Sequence, residues 1–120
     1  MARLMVFNAL AHNHDDHSKN FAYLFDQGRW GLSPAYDLTF ARVRGMADEH
    51  TTAFAGAGLP TRKALRKVCE AFSFLKVDQY IEQTLDALSG WRGLCRELNV
   101  AGQQEAEIQA ALEQVRTRLG

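Results

Sequence analysis

The stretch that decides the fold spans residues 13–38 and reads NHDDHSKNFAYLFDQGRWGLSPAYDL. A run of carboxylates, histidines and amides leads into an aromatic segment, which turns back at Asp-Gln-Gly-Arg. Aromatic residues favour strands and Gly28 can adopt the positive φ of a tight turn, so residues 20–25 and 30–33 are predicted to pair as a β-hairpin. Pro34 ends the second strand, because proline cannot donate to a ladder of hydrogen bonds. The hairpin would carry the polar loop at one end and Pro-Ala-Tyr-Asp-Leu at the other.

Helical periodicity surrounds this hairpin. Residues 2–10 predict a short helix, and the C-terminal half predicts three more: one that begins after Thr61 as its N-cap, one from Val77 to Leu98 with a kink at Gly90, and one after Asn-Val-Ala-Gly. Their apolar stripes are, in turn, Leu65, Val68, Cys69, Phe72 and Leu75; Val77, Ile81, Leu85, Leu88, Trp91, Cys95 and Leu98; and Ile108, Ala111, Leu112, Val115 and Leu119. The predicted fold is mainly α with one small β-hairpin. It forms a single domain over residues 1–120, with the polar loop and hairpin in 1–40, connecting chain in 41–60 and a helical bundle in 61–120.

Composition narrows the class of protein. The chain has 120 residues, 47% of them hydrophobic, which suits one globular domain with a core. Lys and Arg total 14 and so do Asp and Glu, so no broad basic surface for nucleic acid is expected. Cys69 and Cys95 lie on apolar helix faces and are predicted to be buried thiols, as in cytosolic proteins. With no signal-peptide pattern and no apolar run of about 20 residues, a cytoplasmic protein without a membrane span is predicted.

The polar loop has the residue types of a hard, oxygen-rich metal site. Asp15, Asn20 and, across the hairpin, Asp37 would offer the carboxylate and amide oxygens that Mg²⁺ prefers. Asp15 precedes Asn20 by five positions, the spacing of the base and the metal-binding Asn in the His-Arg-Asp-x-x-x-x-Asn loop of protein kinases. Asp and Asn in loops also serve turn chemistry alone, through hydrogen bonds to their own backbone. A zinc site built from His12, His14 and His17 with Asp15 and Asp16 is a further alternative.

The quoted residues resemble a known family. FNALAHNHDDHSKNFAYLF, followed by WGLSPAYDL, is similar to the catalytic segment of the HipA family, bacterial serine/threonine kinases that act as toxins in toxin–antitoxin pairs. The resemblance is dense over residues 7–38 and weaker at HTTAFAG, residues 50–56. It implies a partial kinase-like C-terminal lobe and ATP- and Mg²⁺-dependent phosphorylation of a protein substrate.

The resemblance also implies roles for individual residues. Asp15 would be the catalytic base, Asn20 and Asp37 would bind Mg²⁺ and through it ATP, His17 would brace the loop, and Lys19 would lie near the transferred phosphate. It implies no chemical role for Asp16.

Nothing before the polar loop can supply the nucleotide-holding lobe of a kinase, and this leaves three possibilities. The chain could work with a separate N-lobe chain, it could be an inactive HipA-like remnant that binds partners, or it could be an unrelated metal-binding domain such as a phosphohydrolase. Apolar surface left by the missing lobe, at Phe7, Leu10 and the hairpin aromatics, predicts a homo-oligomer or a protein complex. The family usually pairs with a helix-turn-helix antitoxin, which makes such a protein a further expected partner.

Overall fold

The computed structural model of the chain describes residues 1–42, 50–56 and 58–119. Most of the predicted connecting chain, at residues 43–49 and 57, lies outside this range. The elements are α1 (Ala2–Leu10), a 3₁₀ turn (Ser18–Asn20), β1 (Tyr23–Asp26), β2 (Arg29–Leu32), α2 (Arg62–Cys69), α3 (Val77–Ser89), α4 (Trp91–Glu97) and α5 (Gly102–Leu119). The prediction of a mainly helical chain with one hairpin is confirmed. None of the helices in the described residues is long and apolar enough to cross a membrane.

The hairpin closes through a two-residue turn at Gln27 and Gly28, both with positive φ, of 48° and 77°. Such a turn matches the right-handed twist of the strands, which explains why the glycine is needed. The strands begin and end elsewhere than predicted: β1 starts at Tyr23, and Asn20 lies in the 3₁₀ turn instead. Trp30, in the second strand, is 71% exposed.

The register of the hairpin gathers its large side chains on one face. Tyr23 is opposite Leu32, and Phe25 is opposite Trp30, with the last two rings 5.3 Å apart. Directly paired residues share a face, and so do residues two apart along a strand. All of these side chains are exposed, so the hairpin presents an apolar face, which we call the aromatic face (Tyr23, Phe25, Trp30 and Leu32).

The core lies among the helices. Val6 and Leu10 of α1 pack with buried residues of α2, α3 and α5 and with Phe54, so the prediction that Leu10 lies on an exposed apolar surface is wrong. The helical members are Leu65, Cys69, Val77, Ile81, Val115 and Leu119. This arrangement buries one face of α1, a helix too short to be stable alone, against the bundle.

An N-cap explains where α2 begins, and packing against the other helices explains why part of its predicted apolar stripe is exposed. Thr61 is the N-cap, and its hydroxyl accepts a hydrogen bond from the Ala64 N–H at 3.1 Å, as predicted. The helix ends at Cys69, so Phe72 and Leu75 of the predicted stripe lie in the following turns. Val68 and Phe72 are exposed, because the bundle covers only the Leu65 and Cys69 side of the helix.

The predicted long helix is two helices, because the chain breaks at Gly90 between α3 and α4. Helix α4 ends before Asn99, which takes the left-handed conformation with φ 53° while the Val100 N–H donates to the Cys95 carbonyl at 2.9 Å. This is the usual way for asparagine to terminate a helix. Cys95 is buried and free, and so is Cys69 of α2, which confirms that prediction, whereas Leu98 is exposed.

Candidate functional site

The polar loop, residues 13–20, is anchored to the end of α1. His12 adopts a left-handed conformation with φ 59°, and the Asn13 N–H donates to the Asn8 carbonyl at 3.0 Å. The Asn13 side-chain amide also donates to the Asn8 side-chain oxygen at 3.2 Å. All of these residues are buried, so the start of the loop is held by α1 through both backbone and side chains.

Asp15 and Asn20 are in direct contact. The Asn20 side-chain amide donates to the Asp15 backbone carbonyl at 2.9 Å, which closes the loop across the five-residue spacing noted in the sequence. The Asp15 carboxylate is not used in this bond, and its side chain is 52% exposed. Because the NH₂ of Asn20 is engaged, its amide oxygen is the atom left for a further ligand.

His17 and Lys19 shape the same loop. The Lys19 N–H donates to Nδ1 of His17 at 3.2 Å, which caps the 3₁₀ turn. A ring nitrogen that accepts a hydrogen bond is unprotonated, so Nε2 of the His17 ring carries the proton, and it lies 3.6 Å from the Asp15 carboxylate. The side chain of Lys19 is exposed. His17 therefore faces both the turn and Asp15.

Asp37 reaches the loop from beyond the hairpin. The Asn13 side chain donates to the Asp37 carbonyl at 3.4 Å, and the Tyr36 hydroxyl donates to the Lys19 carbonyl at 2.7 Å. Next to them, Asn13 and Ala41 form a parallel bridge. Asp37 itself has φ 54°, a left-handed conformation that Asp and Asn tolerate better than most residues. These contacts bring Asp37 beside residues 13–20, from which it is far apart in sequence.

Asp16, for which the resemblance implied no chemical role, is a buried anchor of the loop. Its side chain is 4% exposed, and its carboxylate accepts from the Thr52 N–H at 3.0 Å and lies 3.1 Å from Nδ1 of His50. Sequence reasoning missed this contact, because its partners are more than 30 residues away in loop sequence without periodicity. The available signal was the short similarity at HTTAFAG, which contains both His50 and Thr52.

Buried histidines form a row beneath the loop. Nδ1 of His12 lies 2.6 Å from Nε2 of His14, and the His14 ring lies 4.5 Å from that of His50. His17, by contrast, is on the surface of the loop. The described residues include no group of three His, Cys, Asp or Glu side chains placed to hold a metal ion. The zinc alternative therefore has no support in this part of the chain.

The sequence profile of the HipA-like C-terminal domain matches residues 1–118. The chain belongs to this family. A comparison with curated proteins finds no match. Membership of the HipA-like C-terminal domain family, which covers nearly all of the chain, removes the possibility of an unrelated metal-binding domain.

The donors of this HipA-like domain suit a hard cation. The exposed carboxylates of Asp15 and Asp37 and the amide oxygen of Asn20 are oxygen ligands, which Mg²⁺ prefers, and Mg²⁺ commonly takes only one or two protein carboxylates along with phosphates and water. The chemistry of the donor set therefore fits Mg²⁺, with Asn20 and Asp37 as the residues that would hold it.

Proposed function

We propose that this chain is the catalytic lobe of an ATP- and Mg²⁺-dependent serine/threonine protein kinase, which acts together with a nucleotide-holding lobe. The observation that carries the proposal is the joining of two segments: the Asp15–Asn20 loop, closed by its internal hydrogen bond, and the Asp37 segment, held against it through Asn13 and Tyr36. Protein kinases need a base, a metal-binding Asn and a second metal-binding Asp in neighbouring positions.

The residues of the loop suit these tasks. The Asp15 carboxylate is exposed and can accept the proton of a substrate hydroxyl, while Asn20 fixes its backbone and His17 lies beside its side chain. The exposed Lys19 ammonium can approach a phosphate as a mobile point charge. Asn20 and Asp37 would hold Mg²⁺, which when bound neutralises charge on the phosphates.

The aromatic face supports the need for a second lobe. Its large side chains are exposed although an isolated two-stranded hairpin is only marginally stable in water. Exposed apolar patches of this kind mark interaction surfaces. We place the nucleotide-holding lobe against the hairpin, with a protein Ser or Thr as the phosphate acceptor and a helix-turn-helix protein as a regulatory partner.

The test is calorimetric titration of Mg-ATP into the wild-type chain and into Asp37→Asn. Asparagine tolerates the left-handed backbone of position 37, so this substitution removes the charge without adding the strain that alanine would bring. Asp26→Asn is the matched control, because it removes an exposed carboxylate at the tip of the hairpin. Binding that is lost in Asp37→Asn and kept in Asp26→Asn supports the proposal. Equal binding by all three proteins counts against it.

Activity is then measured as transfer of labelled phosphate to a serine/threonine protein substrate, with candidate nucleotide-holding chains added. We expect transfer to require the added nucleotide-holding lobe and to disappear in Asp15→Asn. Transfer that survives Asp15→Asn at the wild-type rate would exclude Asp15 as the base.

A second candidate function is a catalytically inactive module that binds partners or copies of itself, which the aromatic face also favours. Sedimentation of the wild-type chain and of Trp30→Ser distinguishes the two. Self-association that depends on Trp30, in a chain that neither binds Mg-ATP nor gains activity with a second lobe, would favour the module.

A further inference from the structure

The loop that carries Asp15 is held from behind by a second segment, His50–Thr52. The N–H and the hydroxyl of Thr51 both donate to the His14 carbonyl, at 3.0 and 2.8 Å. The N–H of Thr52 donates to the Asp16 carboxylate at 3.0 Å, and its hydroxyl donates to the Asp16 carbonyl at 2.6 Å. These bonds fall on both sequence neighbours of Asp15 and leave the Asp15 side chain free to face solvent.

The contact between Asp16 and His50 completes this arrangement. Carboxylate oxygens only accept hydrogen bonds, so Nδ1 of His50 carries the proton of the 3.1 Å bond to Asp16. Both side chains are buried, where an unpaired carboxylate would be costly. The His50 ring also packs against two neighbouring rings, that of His14 at 4.5 Å and that of Phe54, nearly perpendicular to it, at 4.9 Å.

We propose that Asp16 and His50 are positioning residues, which act with the Thr51 and Thr52 bonds to fix the backbone on both sides of Asp15 and so hold the Asp15–Asn20 contact in register. Together with Thr51 and Thr52 they form a clamp on the loop. The clamp rests on the proposed function, since positioning matters catalytically only if Asp15 is the base. The structural effect of His50 on the hydrogen bond of the Asn20 side chain can be measured without any enzymatic activity.

The reporter is the side-chain amide of Asn20, which donates one of its two N–H groups to the Asp15 carbonyl. Its NH₂ signals in a ¹⁵N-correlated NMR spectrum, and their rate of exchange with water, are measured in the wild type, Asp16→Ala and His50→Ala. We expect exchange to accelerate by roughly fivefold or more in both variants, the ratio that loss of one typical hydrogen bond gives. The Thr52 N–H should lose protection in Asp16→Ala.

Conservative variants separate positioning from general stability. His50→Asn can place a side-chain N–H where Nδ1 stood, and we expect it to restore the wild-type exchange of Asn20. Asp16→Asn keeps an oxygen for the Thr52 N–H but sets an NH₂ against His50, so it should accelerate Asn20 exchange while preserving the fold. Val115→Ala, which leaves a cavity on the α5 side of the helical core, is the control that lowers stability without changing a residue of the clamp.

The outcomes are distinguishable. Unchanged Asn20 exchange in Asp16→Asn and His50→Ala, with Thr52 protection altered, would overturn the clamp, and so would equal acceleration in Val115→Ala. Mg-ATP titration of the same proteins reports on the proposed function separately. A wild-type chain that neither binds Mg-ATP nor transfers phosphate when a nucleotide-holding lobe is added, yet shows the Asn20 response, would refute the kinase assignment and keep the clamp as a property of the fold.

Discussion

Arg62 joins three helices, and its removal gives the sharpest test of how the bundle is held together. Its guanidinium donates to the Leu119 carbonyl at the end of α5 at 3.1 Å, to Asp78 at 3.0 Å and to Glu82 at 2.8 Å, both on α3. Glu82 and then Asp78 raise the pKa of Arg62, so it is charged at any working pH. The side chain is only 25% exposed, which means that Arg62→Ala removes packed stem as well as charge.

The expected cost follows from these contacts. A hydrogen bond from a charged donor to the helix-end carbonyl contributes about 1.5 kcal/mol, and each ion pair with a half-exposed carboxylate contributes about 0.5 kcal/mol. Together they predict that Arg62→Ala lowers the free energy of unfolding by about 2.5 kcal/mol. For a chain of this size that corresponds to a fall in Tm of about 10 °C.

The measurement is urea unfolding at pH 7 followed by circular dichroism, in low salt and in 1 M NaCl. Arg66→Ala is the control, because Arg66 is 57% exposed and, among the described residues, forms an ion pair only with Asp78, so its loss should cost below about 1 kcal/mol. High salt should shrink the part of the Arg62 effect due to ion pairs and leave the part due to the Leu119 carbonyl. An Arg62→Ala effect no larger than that of Arg66→Ala would refute the reasoning.

Further predictions concern acid stability, thiols and the hairpin turn. Arg66, and after it Arg62, lowers the pKa of Asp78. The contribution of Asp78 to stability is therefore fully present above its unfolded pKa of about 4 and is lost as the pH falls through its folded pKa. The urea midpoint should consequently fall less between pH 7 and pH 3 in Asp78→Asn than in the wild type. Burial raises the pKa of the Cys69 and Cys95 thiols, so both should react with Ellman's reagent only on unfolding; rapid reaction of the native chain would contradict this. Gly28→Ala should cost about 1 kcal/mol from its left-handed φ alone, since an added Cβ meets nothing within 4 Å; an unchanged urea midpoint would count against it.

Local chemistry was enough to predict most of the helices and the hairpin. Thr61 predicts the start of α2, because its hydroxyl accepts a hydrogen bond from a backbone N–H of the first turn. Gly28 predicts the hairpin turn, because glycine adopts a positive φ readily. What local rules could not supply is which apolar residues are covered. Phe72 and Leu98 lie at helical spacing yet are exposed, since burial depends on neighbours that are distant in sequence.

Within the candidate site, contacts between residues close in sequence could likewise be predicted, whereas contacts between distant residues could not. The five-residue spacing from Asp15 to Asn20 is local, and the hydrogen bond between them follows it. The link from Asp16 to His50 spans 34 residues across a segment with no regular period, so no spacing rule could predict it. A family resemblance identifies which residues are unusual, but it does not say which ones touch.

Around the polar loop the chain also departs from what local preference would choose. His12 and Asp37 occupy left-handed conformations that glycine would adopt at no cost, and each such departure costs on the order of 1 kcal/mol. Nearby, the buried side-chain oxygen of Asn13 has no hydrogen-bond partner among the described residues. A chain optimised only for stability would place glycine at positions 12 and 37 and an apolar residue at 13. The histidine, aspartate and asparagine at these positions therefore have side-chain roles that outweigh this cost. For Asn13 the role is visible, because its side-chain amide donates to the Asp37 carbonyl and holds it against the loop.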